Sequence, residues 1–395
     1  MNHKILFLSD SPPSNPILHS QGLPLLNYVS RLNYKVWFLW IKHYYTVQNE
    51  NEIEKIKSKF GSKINFIQVE IPKTKFFPAF LYYFFIGYKS VYSIMISEKI
   101  SLIHTRSLLP GIVGLLVKIF SLSRISFLYD NRGLYIEENI YLQKWRRNSL
   151  KVRILVWLEN FILNKSDQIV VVSNKFKEFL CKNKKLKNKN KINIISNNVQ
   201  IQLSNNKRTF RKNKITFVYT GSAAKWYSSQ KFVELFIKLN SNFRNARFLI
   251  LTYETEIFRD IIMQHQDLLD KTEIQCVSSD KVHEQLLNCD VGILLREENI
   301  ITSVSSPLKF AEYLNAGLPV IVNPSVGDTE EIIAKYKVGV ILKKNEDKKT
   351  FDELNHLLAD PQLAIRCREV VKKEFDQQAA FQKYIKVYEK LLNNE

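Results

Sequence analysis

The feature that most constrains the fold of this chain is an alternation of short apolar runs with longer amphipathic stretches, which recurs in both halves. Nearly continuous apolar strands separated by segments of helix length are typical of βαβ units, which build parallel sheets. Two such sets predict an α/β fold with two doubly wound parallel-sheet domains. The runs are, in the first half, Ile5–Ser9, Val36–Trp40, Ile64–Val69, Leu102–His104, Ile125–Tyr129, Gln168–Val172 and Ile192–Ile195, and in the second half Ile215–Tyr219, Ala246–Leu251, Ile274–Val277, Val291–Leu295, Val320–Asn323 and Gly339–Leu342.

A change of composition marks the boundary between the two predicted domains. From Cys181 to Lys214 the chain is dominated by Lys and Asn, and we place the linker near residues 199–214. We therefore predict an N-terminal domain at residues 1–205 and a C-terminal domain at residues 206–375. In the last segment, 376–395, apolar residues recur with the spacing of an amphipathic helix. This terminal helix is expected to pack back on the N-terminal domain.

The formal net charge of +20 implies an anionic partner, which could be nucleic acid, an anionic membrane surface or a phosphorylated substrate. The charge is unevenly distributed along the chain. Residues 1–200 hold 30 Lys and Arg against 12 Asp and Glu, an excess of 18, whereas residues 201–395 hold 28 against 26, an excess of 2. The positive field therefore belongs to the first half.

The remaining composition predicts the compartment. The four cysteines are scattered, which argues against a zinc site or a disulfide framework and suits a reducing environment. Because Met1 leads directly into a strand-like run, no signal peptide is expected. The longest uncharged apolar run, between Lys75 and Lys89, is shorter than the roughly 20 residues that span a bilayer. We expect a soluble or monotopic protein in the cytoplasm.

The most informative segment is residues 305–323, which reads SSPLKFAEYLNAGLPVIVN. Ser306 is expected to cap a helix whose first position is Pro307, because proline lacks the N–H that would be unpaired there. This helix would begin at the carboxyl end of a parallel strand, where its dipole and N–H groups favour a diphosphate. Lys309 adds positive charge near that end, and Glu312 could accept hydrogen bonds from a ribose diol.

The segment resembles the donor-binding signature of family 4 glycosyltransferases of the GT-B type, in which a Pro, a Lys and a Glu-Tyr-Leu step precede Ala-Gly-Leu-Pro-Val-Ile. The resemblance implies two Rossmann-like domains facing a cleft, with the ribose bound by Glu312. Three further pieces agree in order and spacing. They are a strand followed by Gly221 and Ser222 with a downstream basic residue, Lys225, for the donor diphosphate; Arg296 with Asn299 nearby; and the loop Gly327–Glu331, in which Asp328 or Thr329 either caps a helix or contacts the ligand.

The chain departs from the family pattern at one position. Many members carry a second glutamate eight residues before the ribose-binding one, where it contacts the transferred sugar, but this chain has Val304 there. The contact would have to come from Glu297, Glu298 or the backbone near residues 303–306.

Two motifs of the first half follow predicted strands, His104-Thr105-Arg106-Ser107 and Asp130-Asn131-Arg132-Gly133 with Glu137 and Glu138 downstream. Together they resemble a subgroup of these transferases that works in bacterial surface-polysaccharide assembly. The resemblance implies acceptor binding by His104, Arg106 and Glu137, and catalytic roles for Asp130 and Arg132 together with Lys225. A structural pair of Asp130 with Arg132 is an open alternative. The usual glycine-rich loop after the first strand is replaced by Asp10-Ser11-Pro12-Pro13-Ser14.

Between Lys73 and Met95 aromatic residues alternate with lysines. This pattern is typical of a helix at the headgroup boundary of an anionic membrane, and a buried helix between domains explains the aromatic residues almost as well. No nucleic-acid-binding module accompanies it, so nucleic acid is not an expected partner.

These observations together predict a retaining glycosyltransferase that moves a sugar from a nucleotide-diphosphate sugar to a glycan or lipid-linked acceptor at the inner face of the cell membrane. No metal or other cofactor is expected, because basic side chains and the helix end would stabilise the leaving diphosphate. Two alternatives remain open at this point. They are a sugar-nucleotide epimerase or hydrolase of the same fold and a non-catalytic protein that binds polyanions or glycans.

Overall fold

The computed structural model describes residues 3–43, 50–61, 63–73, 79–121, 125–184, 186–202, 214–223, 229–243 and 245–393. The chain divides into two compact units. The first comprises residues 1–172, 176–195 and 379–395, and the second comprises residues 173–175 and 196–378. We expected the boundary at residue 205, whereas the chain enters the second unit at Ser196 and returns to the first at Ala379.

The first unit is built on a seven-stranded parallel sheet in the order β3-β2-β1-β4-β5-β6-β7. Most of its strands are rich in apolar residues because helices cover both faces of the sheet, whereas only the two end residues of the edge strand at Ile64–Ile71 are buried. The strands are β1 Lys4–Ser9, β2 Lys35–His43, β3 Ile64–Ile71, β4 Leu102–Arg106, β5 Ser126–Asn131, β6 Gln168–Val171 and β7 Ile192–Ile194. The helices are α1 Leu23–Ser30, α2 Glu50–Phe60, α3 Ala79–Glu98, α4 Leu108–Phe120, α5 Tyr135–Tyr141, α6 Leu150–Lys165 and α7 Asn174–Asn183.

The second unit contains a six-stranded parallel sheet in the order β10-β9-β8-β11-β12-β13. Its strands are β8 Ile215–Thr220, β9 Ala246–Leu251, β10 Thr272–Gln275, β11 Val291–Leu294, β12 Val320–Val322 and β13 Gly339–Ile341. Its helices are α8 Ser229–Asn242, α9 Thr255–Ile262, α10 Gln266–Leu269, α11 Val282–Leu286, α12 Ile300–Ser303, α13 Leu308–Asn315, α14 Thr329–Tyr336, α15 Asp347–Leu358 and α16 Leu363–Val370. The predicted fold class of two doubly wound parallel sheets is therefore confirmed.

The last helix, α17 (Gln377–Leu392), belongs almost entirely to the first unit. Its apolar side packs on α1 and on the first sheet, and Phe381, Tyr384 and Tyr388 are at most 4% exposed there. The ring of Phe381 lies 5.3 Å from that of Tyr28 on α1. The amphipathic spacing thus forms a helix whose apolar side completes the core of the first unit.

The aromatic segment at residues 73–95 forms part of α3, whose aromatic residues divide between two environments. Tyr83 and Phe84 are buried against the first unit, whereas Phe85 is 64% exposed and Tyr92 is 38% exposed. Lys75, Phe76 and Phe77 lie outside the described residues. No helix in the described ranges is long and apolar enough to cross a bilayer.

Candidate functional site

Each sheet has one point at which the order of its strands reverses. In open α/β sheets ligands bind beyond the carboxyl ends of the strands at such a point, because the helices on either side diverge there and leave a crevice. The reversal lies between β1 and β4 in the first unit and between β8 and β11 in the second. The residues that follow these four strands are therefore the first candidates for a site.

In the second unit, α13 carries the two charged residues of the predicted donor site. Lys309 Nζ lies 3.0 Å from Glu312 Oε2, and both side chains are about a quarter exposed, at 28% and 27%. Their spacing of three residues places them on the same face of the helix. A carboxylate offers about four lone pairs, so this ion pair leaves Glu312 able to accept further hydrogen bonds.

The helix begins one residue later than we predicted. Pro307 is the residue before the first helical position, with ψ of 115°, and no side chain caps the helix. Ser306 was therefore wrongly predicted as the cap. Its hydroxyl accepts a hydrogen bond from the Asn197 N–H at 3.2 Å, and its carbonyl accepts one from Asn197 Nδ2 at 2.6 Å. These two hydrogen bonds hold the residues before α13 against Asn197, which lies more than a hundred residues earlier in the sequence.

Tyr313, which the sequence analysis did not single out, joins α13 to the end of β8. Its hydroxyl oxygen accepts a hydrogen bond from the Thr220 N–H at 2.8 Å, and it lies 3.3 Å from the Ile293 carbonyl on β11. The ring is fully buried, and a side chain at Gly292 would overlap it, because an added Cβ would lie 2.5 Å from the Tyr313 ring. Tyr313 therefore holds Glu312 beside both strands of the crevice.

The loop after β8 contains the predicted Gly221 and Ser222. Gly221 has φ of 155°, and an added Cβ would lie 2.7 Å from Tyr219 Oη, so a side chain there would be strained and crowded. The Tyr219 hydroxyl donates to the Ser222 carbonyl at 2.7 Å. Lys225, predicted for donor binding and for catalysis, lies outside the described residues.

The loop after β11 carries Arg296, which is partly buried. Its backbone N–H donates to Asn323 Oδ1 at 2.8 Å, and Asn323 Nδ2 donates to its carbonyl at 3.0 Å. Asn299 caps α12 by accepting from the Thr302 N–H at 2.9 Å. The two residues that we predicted as a polar pair therefore lie in one loop, where Asn323 holds the backbone of Arg296 and Asn299 starts the following helix.

Val304 is 2% exposed, so its side chain cannot reach a ligand, and its carbonyl accepts from Ser173 Oγ at 2.7 Å. Of the residues expected to replace it, Glu297 lies 3.3 Å from Lys231 in an ion pair and Glu298 is exposed. In the following loop, Asp328 makes no side-chain cap for its own helix and instead accepts from the N–H of Asn174 at 2.7 Å. Neither side chain in that loop provides the predicted cap, because Thr329 donates to the Val326 carbonyl.

A second residue that sequence reasoning missed is His283 on α11. The imidazole is half-buried, and burial lowers its pKa below the ordinary value, with Arg368 lowering it further and the nearby Glu312 opposing the shift. A lone histidine gives no sequence signal of this kind. The effect of Glu312 on this pKa shows only that the two side chains are near enough to interact electrostatically.

The first unit holds a cavity of about 260 Å³ at the reversal between β1 and β4. Most of the residues that line it are polar or charged, although the loop after β1 lacks the usual glycines. Asp10 accepts from Ser107 Oγ at 3.2 Å, so the hydroxyl of Ser107 binds the loop after β1 instead of capping α4. The lining residues are Ser9, Asp10, Ser11, Asn15, Ile17, Leu18, Arg106, Ser107, Arg132, Gly133, Tyr135 and Glu138.

The predicted acceptor residues divide between this cavity and its surroundings. Arg106 lines it, and burial lowers the pKa of its guanidinium, with Arg132 adding to the effect. Glu137 is instead paired with Arg147 at 2.6 Å, and its neighbour Glu138 lines the cavity. Burial raises the pKa of Glu138. The geometry therefore favours Glu138 over Glu137 as a ligand of the cavity.

Asp130 and His104 lie behind the cavity and are fully buried. Asp130 Oδ2 accepts from the Tyr384 hydroxyl at 2.9 Å and lies 3.5 Å from His104 Nε2. His104 Nδ1 is 2.7 Å from the Tyr388 hydroxyl, so α17 supplies a partner to each residue. Burial lowers the pKa of His104. A neutral ring can accept from Tyr388 and present its other N–H to Asp130.

Arg132 connects this buried group to the cavity. Its Nη1 lies 3.6 Å from Asp130 Oδ1 and donates to the Ile195 carbonyl at 3.0 Å and to Tyr384 Oη at 3.2 Å. Burial raises the pKa of Asp130, but the positive charge of Arg132 and the nearby His104 ring, with a smaller effect of Arg106, outweigh burial and bring the pKa to about 2. The catalytic roles of Asp130 and Arg132 stay predictions, while the contacts make Asp130 the residue that orients Arg132.

Asp10 differs from Asp130 because the nearby cation, Arg106, offsets its burial only weakly. Desolvation raises the pKa of Asp10 to about 6, against the weaker opposing effect of the Ser107 hydrogen bond. Such a carboxyl is protonated in the folded state at pH values where the unfolded chain has lost the proton. Its ionisation therefore lowers stability as the pH rises from about 4 to above 6.

Asp10→Asn is accordingly expected to raise the free energy of unfolding near neutral pH by on the order of 1–3 kcal/mol, because the amide carries no charge to desolvate. The gain should shrink to about zero below roughly pH 4, where both states of the wild type are protonated. Urea denaturation across this pH range measures it. A gain that is independent of pH would show that the charge of Asp10 is not its cause.

Comparison with known proteins finds a glycosyltransferase family model for each half of the chain. Residues 200–374 match the family model described as glycosyl transferases group 1, and residues 25–203 match the model described as glycosyltransferase family 4. No curated protein sequence matches the chain significantly.

Solved structures match over the full length. Sucrose-phosphate synthase from Thermosynechococcus elongatus has a TM-score of 0.71 at 14% identity, covering 100% of both chains. A glycosyltransferase from Rickettsia africae has a TM-score of 0.71 at 18% identity, also covering 100% of both. HepE from Anabaena in complex with UDP has a TM-score of 0.68 at 12% identity and covers 99% of this chain and 100% of that one.

The two family matches, the two doubly wound sheets and the crevice residues around α13 define the class as glycosyltransferases with two Rossmann-like domains. Within that class the chain belongs to the GT-B glycosyltransferases of the family 4 type, as the signature around Glu312 predicted.

Proposed function

We propose that the protein is a retaining glycosyltransferase that moves a sugar from a nucleotide-diphosphate sugar to a glycan or lipid-linked acceptor in bacterial surface-polysaccharide biosynthesis. The observation that carries this proposal is the pair of Lys309 and Glu312 on α13, which Tyr313 holds at the crevice between β8 and β11. HepE, a structural neighbour, has been solved with UDP and with UDP-glucose, which supports a sugar nucleotide as the donor.

The donor half of the proposal follows from the charges around α13. Glu312 would accept hydrogen bonds from the ribose hydroxyls, which a carboxylate binds more strongly than a neutral acceptor does. The diphosphate would lie toward the beginning of α13, near Lys309 and Arg296, where the helix dipole favours negative charge. These groups would stabilise the leaving nucleoside diphosphate as its charge develops, so we propose that transfer needs no metal. The proposed role of Lys225 in binding the donor diphosphate and in catalysis rests only on the family resemblance.

The acceptor half rests on the cavity of the first unit. Arg106 would donate to an oxygen of the acceptor, and Asp10 and Glu138 would accept from its hydroxyl groups. A cavity of about 260 Å³ with both donors and carboxyl groups suits a sugar better than an apolar ligand. We propose retention of the anomeric configuration because the family resemblance implies it. Analysis of the product tests this part of the proposal.

The test measures binding and turnover separately. We expect a nucleoside diphosphate to raise the melting temperature of the protein, because a ligand that binds only the folded state stabilises it. Sugar nucleotide should be consumed rapidly only when a saccharide acceptor is present, and the new linkage should keep the donor's anomeric configuration by NMR. Rapid consumption without acceptor would indicate an epimerase or hydrolase, and absence of any nucleotide binding would favour a non-catalytic glycan-binding protein.

A further inference from the structure

The described residues expose eighteen large apolar side chains, and nine of them lie on just three helices, α3, α4 and α6. These helices pack side by side in one layer of the first unit, α3 on α4 and α4 on α6. Their inner sides are buried, as Val91, Val113 and Leu155 show. The exposed residues therefore point away from the sheet and form the outer surface of this layer.

Helix α6 shows the strongest such stripe. Leu150 is 71% exposed, Ile154 is 44% exposed and Trp157 is 62% exposed. Their spacing of four and three residues puts them on one face of the helix. The ring of Trp157 stacks on that of Phe161 at 5.6 Å, which continues the stripe by one turn. An apolar stripe this exposed, on a helix whose opposite side is already buried in the core, has no partner among the described residues of its unit.

The charge around this stripe is almost entirely positive. Residues 143–165 contain Lys144, Arg146, Arg147, Lys151, Arg153 and Lys165. The single acidic residue in this range is Glu159, which is 3% exposed and paired with Lys184 at 2.5 Å. All six basic side chains are exposed, and one of them, Arg147, is paired with Glu137 on α5. The surface therefore combines apolar side chains with a net positive rim that no acidic group on α6 offsets.

We propose that α6 is the membrane anchor of this enzyme, with Leu150, Ile154 and Trp157 inserted at the headgroup boundary of an anionic bilayer and the surrounding Lys and Arg on lipid phosphates. Exposed Trp with flanking basic residues is the composition of helices that lie in the membrane interface. Basic residues near an anionic surface add to binding through their attraction to the lipid headgroups. A second copy of the chain fits this surface poorly, because two such faces would bring their positive rims together.

This role of α6 rests on the proposed function, because it places the enzyme on the membrane that would carry a lipid-linked acceptor. Helix α5 carries Tyr135 and Glu138 of the cavity, and only residues 142–149 separate it from the exposed Leu150. An acceptor held in the bilayer next to α6 would thus lie along the chain segment that leads into the cavity.

The experiment is vesicle co-sedimentation of the full chain without substrates. We expect binding to phosphatidylcholine vesicles containing phosphatidylglycerol, weak binding to pure phosphatidylcholine, and release by salt because the rim contacts are screened. The double variant Ile154→Ser/Trp157→Ser should lose at least about tenfold in partition to the anionic vesicles, since burying these two side chains is worth more than 1.4 kcal/mol. Met263→Ser removes a 62% exposed side chain from the second unit and should bind like the wild type.

Unchanged melting temperature and unchanged binding of a nucleoside diphosphate would show that the double variant is folded, and they keep this test separate from that of the donor site. The proposal is overturned if the wild type does not bind the anionic vesicles, or if the double variant binds them as the wild type does. It is also overturned if the wild type forms a dimer that the double variant loses, because the stripe would then be an interface between two copies.

Discussion

Replacing Glu312 by glutamine is expected to lower kcat/KM for the sugar-nucleotide donor by about 10²–10³-fold, because hydrogen bonds to a charged acceptor are worth about 1.5–3 kcal/mol each and the ribose offers two hydroxyls. The amide keeps the shape of the side chain but loses the charge. The loss should appear mainly in donor affinity, measured as KM and as the thermal shift given by the free nucleoside diphosphate.

A matched control exists in the same unit. Glu346 pairs with Lys349 over the same spacing of three residues, at 3.8 Å, at the exposed beginning of α15. Glu346→Gln should leave kcat/KM within about twofold, because exposed pairs contribute little. If Glu312→Gln turned over the donor like the control, Glu312 would not bind the ribose, and the donor site would have to be placed elsewhere.

Asp130→Asn is expected to have the largest effect on stability, reducing the free energy of unfolding by about 3–5 kcal/mol, since removing one partner of a buried ion pair leaves the other charge uncompensated. Arg132 would keep its burial but lose the carboxylate 3.6 Å away. Asp347→Asn, which breaks the surface pair with Lys238 at 2.8 Å, is the control and should cost less than about 1 kcal/mol. Urea denaturation of the three proteins measures the difference.

The pH dependence separates this effect from that of Asp10. The folded pKa of Asp130 is about 2, below the usual value of 3.8, so its stabilisation is fully present above about pH 4 and is lost as the pH falls through about 2. The difference between wild type and Asp130→Asn should therefore stay constant between about pH 5 and 8. A difference that grew with pH in that range would contradict the low pKa.

The fold could be predicted from the sequence because its signal is local and repeated. Inner strands of a parallel sheet are buried on both faces, so each of them appears in the sequence as a short apolar run. Successive parallel strands must also be joined by helices of similar length. The pattern gives the class and the number of strands. It cannot give the return of the chain to the first unit, because an amphipathic helix such as α17 shows which side is apolar and not which core that side completes.

The candidate site divides in the same way. Lys309 and Glu312 could be found because they lie three residues apart on one helix, next to a recognisable turn at Gly317. Asp10 and Glu138 lie more than a hundred residues apart and meet only in the cavity, so no sequence window contains both. Tyr384 and Tyr388 read as ordinary apolar positions of α17, and their hydroxyl groups become informative only when Asp130 and His104 are found beside them.

The cap of α13 was predicted wrongly for a related reason. A Ser-Pro step is typical of a helix start when the serine hydroxyl has no better partner. Here the Asn197 backbone N–H donates to that hydroxyl, and Asn197 lies in the segment that follows the first unit along the chain. The local tendency of serine to cap a helix is therefore overridden here by a hydrogen bond between residues that are distant in sequence.

The return of the chain at Ala379 also constrains how the protein is made. Tyr384 and Tyr388 satisfy buried groups of the first unit, yet they are translated only after the second unit. Because synthesis proceeds from the N-terminus, part of the core of the nascent first unit stays open, and Asp130 lacks the hydrogen bond from Tyr384, until the second unit has been translated. A shortened gene that stops at residue 195 would therefore encode an incomplete folding unit, prone to aggregation and dependent on chaperones.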